Sequence, residues 1–257
     1  MIAARTFPEL LDALLSADAA RPLVTAYDDA TGERTELSVA TYANWVAKTA
    51  NLLVDELMLE PGDTVLLDLP PHWLGAVFLG GAWAAGLAVT TEPAVKVAAV
   101  FCGPEDPGRH LEREVPVVAC SLLPFGVRFA DALPDDVLDH GLLWPGQSDV
   151  FAPAVPVTGE AVAWQPGGLT QATLLRRATE QASTPAPGNA AGQAVRLLTD
   201  AAPTLDAGVP GFLAPLVSGG SLVLVRRPDD TRWRRHRESE QATAELRRSL
   251  GASRTQG

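Results

Sequence analysis

The sequence predicts an α/β fold, a mostly parallel sheet with flanking helices, on three observations. Short apolar runs that suit buried strands alternate with amphipathic helical stretches along the chain. Strand, helix and strand follow one another within about thirty residues from Thr64 to Thr90, the length of a right-handed βαβ unit. The 257 residues, 47% hydrophobic and 20% charged, suffice for a core that needs no disulfide.

Thr6-Phe7-Pro8-Glu9 has capping-box spacing with proline in the first turn, so a helix starts near Phe7 and turns Leu10, Leu11, Leu14 and Leu15 inward. Residues 23–27 form a strand, Asp28 to Gly32 a turn, and 34–37 the returning strand. Ser38 caps a helix over 39–57, where Val39, Tyr42, Val46, Ala50, Leu53 and Leu57 recur at steps of three and four. Pro61-Gly62-Asp63 stops it, and 64–69 is a buried strand. Pro71 then starts a helix that Gly86 ends, followed by a strand over 87–90. From Trp73 to Val89 there is no charge over 17 residues. A membrane span needs about 20 apolar residues. With Gly75, Gly80, Gly81 and Gly86 inside it, this stretch reads as core.

Residues 96–101 and 115–120 read as strands of a second βαβ unit, with a charged crossover between them. Residues 121–159 are loops with short elements; within them Pro134 opens a helix that has Asp135 and Asp136 at its positive end, His140 at its negative end and Gly141 beyond. Residues 161–164 form a strand, 170–182 a helix, and 183–192 a loop. Strands over 193–198 and 221–225 flank a short helix over 209–217.

A net charge of −11, from 31 acids and 20 bases, excludes the basic footprint that nucleic acid demands. Residues 226–257 run the other way, with nine arginines against five acids. Arg232, Arg234, Arg235 and Arg237 surround Trp233 and His236 there, and Glu238, Glu240 and Glu245 fall at helical spacing from Arg234, Arg237 and Arg248. Residues 229–257 are therefore expected as an Arg-rich helical or disordered C-terminal tail. Only Lys48 and Lys96 accompany eighteen arginines, a skew that suits a high-GC bacterial genome.

Cys102 and Cys120 are too few for a disulfide framework, and a reducing cytoplasm is expected. Met1 to Asp18 contains Glu9 and Asp12 and no apolar run, so no secretory signal is expected, nor a transmembrane segment further on. His72, His110, His140 and His236 are scattered, and Asp135, Asp136, Asp139 and His140 have a complete structural account, so no metal site is expected. Neither a G-x-S-x-G elbow nor a G-x-G-x-x-G fingerprint occurs. Trp45, Trp73 and Trp83 are expected in the core, with Cys102 as a small buried hydrophobe.

Two blocks resemble the adenylate-forming superfamily of acyl-CoA ligases, adenylation domains and luciferases. In the first, Glu60-Pro61-Gly62-Asp63-Thr64-Val65 is similar to its "PGD-x-V" turn, Asp68-Leu69-Pro70-Pro71 to "LPNS", and the segment from Gly81 to Val89 to "AxxKAGAxxxPL". In the second, Leu213 to Leu224, with Ser218-Gly219-Gly220-Ser221 at its centre, resembles "LxxLxxGGxxVL", and Ser239-Glu240-Gln241-Ala242-Thr243 resembles "ERVT". The resemblance implies a truncated AMP-binding-like α/β domain over 1–228, covering the N-terminal part of the superfamily's large domain.

The departures bear on activity. Superfamily members grip ATP with a Ser/Thr- and Gly-rich loop followed by Lys-Gly. Here the corresponding residues are Gln165-Pro166-Gly167-Gly168, too short and without lysine, suited to a turn. Asp206 stands where the superfamily's "PLFHxxG" histidine is usual, and no residues here match the "YGxTE" segment or the catalytic-lysine domain. Charge developing on a pentavalent phosphate needs positioned cations, so no catalytic residue is assigned and no adenylate formation by this chain alone is expected. The implied function is a non-catalytic, pseudoenzyme-like binding or interaction module with a protein or small-molecule partner. The alternatives are ATP-dependent acid–CoA ligase activity completed by another chain, and binding of adenine nucleotide or CoA without turnover. In open sheets ligands sit beyond the carboxyl ends of strands, which makes Cys102-Gly103-Pro104 and Gln165-Pro166-Gly167-Gly168 the candidate rims.

Overall fold

In a computed structural model, which describes residues 1–184 and 193–248, the chain begins with α1 (Phe7–Asp18). Thr6 caps it by accepting the Glu9 N–H at 3.3 Å, and Phe7, Leu10, Leu11 and Leu14 face the core. β1 (Pro22–Asp28) and β2 (Glu33–Ser38) form the expected hairpin. Ser38 accepts the Thr41 N–H at 3.1 Å and starts α2 (Val39–Asn51), which continues as a wider π-type turn over Leu52–Glu56. β3 (Thr64–Asp68), α3 (Trp73–Ala84) and β4 (Ala88–Thr90) are the βαβ unit read from the sequence, with Val65 beside Val89 in parallel register. Its helix begins two residues later than expected. Pro71 lies before the helix, and His72 supplies the cap, with Nδ1 accepting the Leu74 N–H at 3.2 Å.

Every residue of α3 is buried. It packs against α2, against β1 of one sheet and against β3 and β4 of another, so no face is left for a charge. That placement explains the uncharged stretch. Among the described residues no helix is long and apolar enough to cross a membrane. Gly80 and Gly81 let α2 come close: a Cβ on Gly80 would press on the Tyr42 hydroxyl and lie 2.7 Å from Val46 Cγ2, and one on Gly81 would lie 2.6 Å from Thr49 Cβ.

β5 (Ala99–Cys102), β6 (Val117–Ala119), β7 (Val137–Asp139) and α4 (His140–Leu143) come next. β8 (Val162–Trp164), β9 (Leu169–Thr170), α5 (Gln171–Ala182) and β10 (Arg196–Thr199) follow. α6 (Ala214–Val217), β11 (Ser221–Arg226), α7 (Asp230–Ser239) and β12 (Ala244–Leu246) come last among the described residues. The strands divide between two sheets, ordered β12-β10-β11-β1-β2 and β7-β6-β5-β3-β4-β8-β9. All pairs are parallel except β1–β2 and β8–β9. One continuous core, from Leu23 and Leu222 to Val89 and Phe101, joins the sheets.

Two local readings are corrected. The β5–β6 crossover is a 3₁₀ turn over Pro107–Arg113, bounded by left-handed Asp106 (φ 49°) and Glu114 (φ 54°). Pro134 opens no helix, because left-handed Asp136 (φ 65°) turns the chain and residues 137–139 pair with β6. Asp139 then caps α4 through its bond from the Gly141 N–H at 2.8 Å, so His140 lies at the helix start. Gly141 is needed for a close approach, since a Cβ there would strike the backbone of Val127 and Arg128. The loop expected over 183–192 lies mostly outside the described residues.

The Arg-rich segment joins the five-stranded sheet. Asp229 caps α7 by accepting from the N–H groups of Thr231 and Arg232, and β12 pairs with β10. Trp233 is buried against Leu198, Val223 and Val225, with Arg247 4.4 Å above its ring. Arg237 pairs with Glu245 at 2.9 Å, but Glu240 turns inward to Tyr27, Arg34 and Arg196 instead of pairing along its helix. Residues 249–257 lie outside the described residues.

Candidate functional site

The carboxyl ends of both sheets open into one crevice of about 590 Å³. Its walls leave β3 at Leu69, Pro70 and Pro71, β4 at Thr91 and Glu92, and β10 at Ala201 and Ala202. Trp164 closes it at the end of β8, and Arg248 reaches it from beyond β12. Two buried threonines shape this mouth in the same way. Thr90 ends β4 and accepts the Glu92 N–H at 3.0 Å; Thr199 ends β10 and accepts the Ala201 N–H at 3.0 Å. Each hydroxyl thus turns its chain out along the rim as a strand ends.

The opposite wall is conformationally costly. Asp206 (φ 46°), Ala207 (φ 59°) and Gly208 (φ 77°) are left-handed in succession, a conformation that costs non-glycine residues about 1–2 kcal/mol each. Gly208 sits so close to Trp83 that a Cβ would lie 3.2 Å from its ring. Trp83 is itself fixed, donating its indole N–H to the Ala163 carbonyl at 2.9 Å. Buried Gln171 ties this region to the first helix, donating to the Trp83 carbonyl and accepting the Phe7 N–H, both at 2.8 Å. Strain held in place by packing is typical of ligand-contacting walls.

Neither candidate rim lines the crevice; both flank it. Gln165-Pro166-Gly167-Gly168 is the tight link of the β8–β9 hairpin, with Trp164 beside Leu169 in register. Gly167 and Gly168 take φ of 102° and 59°, and the Gly168 N–H bonds to Gln165 Oε1 at 3.3 Å. At the other rim Cys102 is fully buried, and burial raises its pKa to about 11, which makes it a poor nucleophile at neutral pH. Asp68 stands beside it. Burial pulls the Asp68 pKa up, but hydrogen bonds from Arg109 and His110 outweigh this and hold it below the usual value.

Glu92 and Asp206 bring carboxylates to the crevice and Arg248 a guanidinium; neither lysine reaches it. Lys48 is engaged elsewhere, 3.1 Å from Asp149. His72 and His140 are buried and neutral, their pKa values lowered by desolvation to about 3 and about 4. Among the described residues no three His, Cys, Asp or Glu side chains gather in an arrangement that could hold a metal ion. Reading the sequence had singled out Asp206 in this wall. It missed Trp164, Glu92, Thr204 and Arg248, which lie far apart in the chain and meet only because both sheets end at one place.

This architecture is the fold of the acyl-CoA synthetases. The crystal structure of Brucella canis acyl-CoA synthetase superposes with a TM-score of 0.74 at 17% identity, covering 93% of this chain and 47% of that one. The chain therefore spans about half the length of that enzyme. No protein-family model matches it. A TIGR03089 family protein of Mycobacterium tuberculosis (strain ATCC 25618 / H37Rv) is 36% identical over 250 residues, 92% of this chain and 96% of that protein. The chain belongs to the TIGR03089 family.

Proposed function

We infer that this protein is a non-catalytic binding member of the acyl-CoA synthetase fold, which holds a small molecule in the crevice at the strand ends without activating it. The observation that carries this reading is the β8–β9 hairpin. Where the resemblance to adenylate-forming enzymes calls for a phosphate loop, the turn is short and closes on its own Gln165 side chain. Among the described residues the crevice offers Arg248 alone as a cation, opposed by Glu92 and Asp206. A triphosphate carries several negative charges and needs several donors or cations at once. Trp164, Leu69 and Pro70 suit a ligand with a flat or apolar part instead.

A thermal-shift screen of the purified chain against carboxylic acids, acyl-CoAs, nucleotides and amines tests this. A ligand that binds only the native state raises the midpoint, by about 2.7 kcal/mol of stability at 100 times its dissociation constant. A hit is expected whose shift is lost in Trp164→Ala and in the crevice-filling Ala202→Phe. A screen in which every hit survives both substitutions places the ligand elsewhere and overturns the reading. A second reading, that another chain completes an acid–CoA ligase, draws on the 47% span. It requires a co-purifying protein whose addition yields acyl-CoA from acid, ATP and CoA.

A further inference from the structure

A second opening lies apart from the strand ends, between α1, α2 and residues 149–157, with a volume of about 560 Å³. Its floor is made by Leu11 and Leu15 of α1 and by Ala43 and Ala47 of α2, alanines that leave width between the helices. The roof is Val150, Phe151, Pro153 and Val157. This roof is built, not draped. Asn51, 8% exposed, donates through Nδ2 to the carbonyls of Ser148 and Val150, both at 3.0 Å, and Lys48 donates to the Gln147 carbonyl. Val150, whose carbonyl is one of these anchors, remains 75% exposed, an apolar side chain held over an open groove.

Charge selects the occupant. Glu9, Asp12 and Asp149 line the groove, and among the described residues no Arg, Lys or His does. Glu9 accepts the Arg5 N–H at 2.7 Å and Asp149 pairs with Lys48, while Asp12 has no partner among the described residues. Arg5, nearby, is paired with Glu160 at 3.2 Å. An anion entering here meets three carboxylates. A cation meets Asp12 and the field of Glu9, with an apolar channel for the rest of the molecule.

We propose that this groove is a small-molecule site for an organic cation: an ammonium group received by Asp12, attached to an aryl or branched alkyl body that lies between α1, α2 and the roof. The volume falls within the usual range for such sites, roughly 300–1,000 Å³, and their mixture of apolar walls with few polar groups is the one seen here. Because Asn51 and Lys48 anchor residues 147–150 and Phe151 packs on the core, that end of the roof needs little ordering on binding.

The test is a titration of the ¹⁵N-labelled full chain with 4-phenylbutylammonium and, separately, with its isosteric acid 4-phenylbutyrate. The amine is expected to shift the amides of Leu11, Leu15, Ala43, Ala47 and Val150 saturably, leaving the Trp164 indole unmoved, and to bind at least about tenfold tighter than the acid, a 1.4 kcal/mol difference. Asp12→Asn, at an exposed position where folding is not at stake, should weaken the amine severalfold and leave the acid unchanged or better bound. Equal binding of acid and amine, no groove shifts at millimolar probe, or an unaffected Asp12→Asn would overturn the proposal. So would concentration-dependent broadening of the same amides without probe, together with dimer in sedimentation, since a second copy would then fill the groove. The Trp164 signal keeps this result separate from the fate of the crevice reading.

Discussion

Gln165 and Gly168 close the β8–β9 hairpin on itself, the Gln165 side-chain carbonyl accepting the Gly168 N–H at 3.3 Å. The two residues leave room for a turn and nothing longer, and they spend a backbone donor that an anion would need. Trp164, one residue earlier, is thereby aimed into the crevice as a wall. The same short segment thus both removes a grip on phosphate and shapes the surface that remains.

The Arg-rich stretch from Asp229 to Leu246 is part of the fold, and Trp233→Ala should show it. Its ring is 4% exposed among Leu198, Val223 and Val225, and its indole donates to Glu245 at 2.8 Å. Truncation of a buried tryptophan costs about 3–5 kcal/mol, which chemical denaturation would read as a lower midpoint at unchanged slope. A separable tail would lose nothing.

Close approach of α2 and α3 depends on Gly80. Gly80→Ala presses a methyl group onto the Tyr42 hydroxyl, which donates to the Ala76 carbonyl at 2.8 Å, and onto Val46. Overpacking of this kind costs about 1–3 kcal/mol. In a double-mutant cycle measured by denaturation, Tyr42→Phe should recover part of that loss, because it removes the atom that the new methyl meets.

Acid should weaken the protein before its carboxylates titrate. His72 and His140 are kept neutral by burial, with pKa values near 3 and 4, while the unfolded chain binds protons at an ordinary histidine pKa. Below about pH 6.5 the unfolded state therefore holds more protons than the native state, and stability falls with pH down to the lowered values. By pH 4.5 each histidine should account for a loss of about 2.5 kcal/mol. Asp28, Asp68 and Glu240, whose pKa values are lowered, begin to lose their contribution only as pH falls into the ordinary carboxylate range and go on losing it down to the lowered values. Denaturation curves from pH 7 to 4.5 should show this slope, and His140→Leu should reduce it by about half.

Local signals in the sequence were enough for the caps at Thr6 and Ser38, the periodic face of α2 and the βαβ unit around α3, because each depends on neighbours within a few turns. The division of the strands into two sheets was not legible: β1 pairs with β11 across nearly two hundred residues, and nothing near either strand specifies that. Residues 137–139 were misread for the same reason, since Pro134 and two aspartates mimic a helix start while pairing with β6 decides the outcome. In the tail, the spacing of acids and arginines suggested pairs along a helix, whereas Glu240 reaches Arg34 and Arg196 through the tertiary fold. Of the candidate site, only the short hairpin and Asp206 could be picked out, both through a departure from a familiar pattern.

The most direct measurement is ATP–pyrophosphate exchange by the purified chain, run with a panel of carboxylic acids and magnesium and paired with calorimetry of MgATP. No exchange above the protein-free rate and flat titrations at millimolar nucleotide are the expected results. Acid-dependent exchange that disappears in Arg248→Ala or Trp164→Ala would mean that the crevice activates its ligand after all.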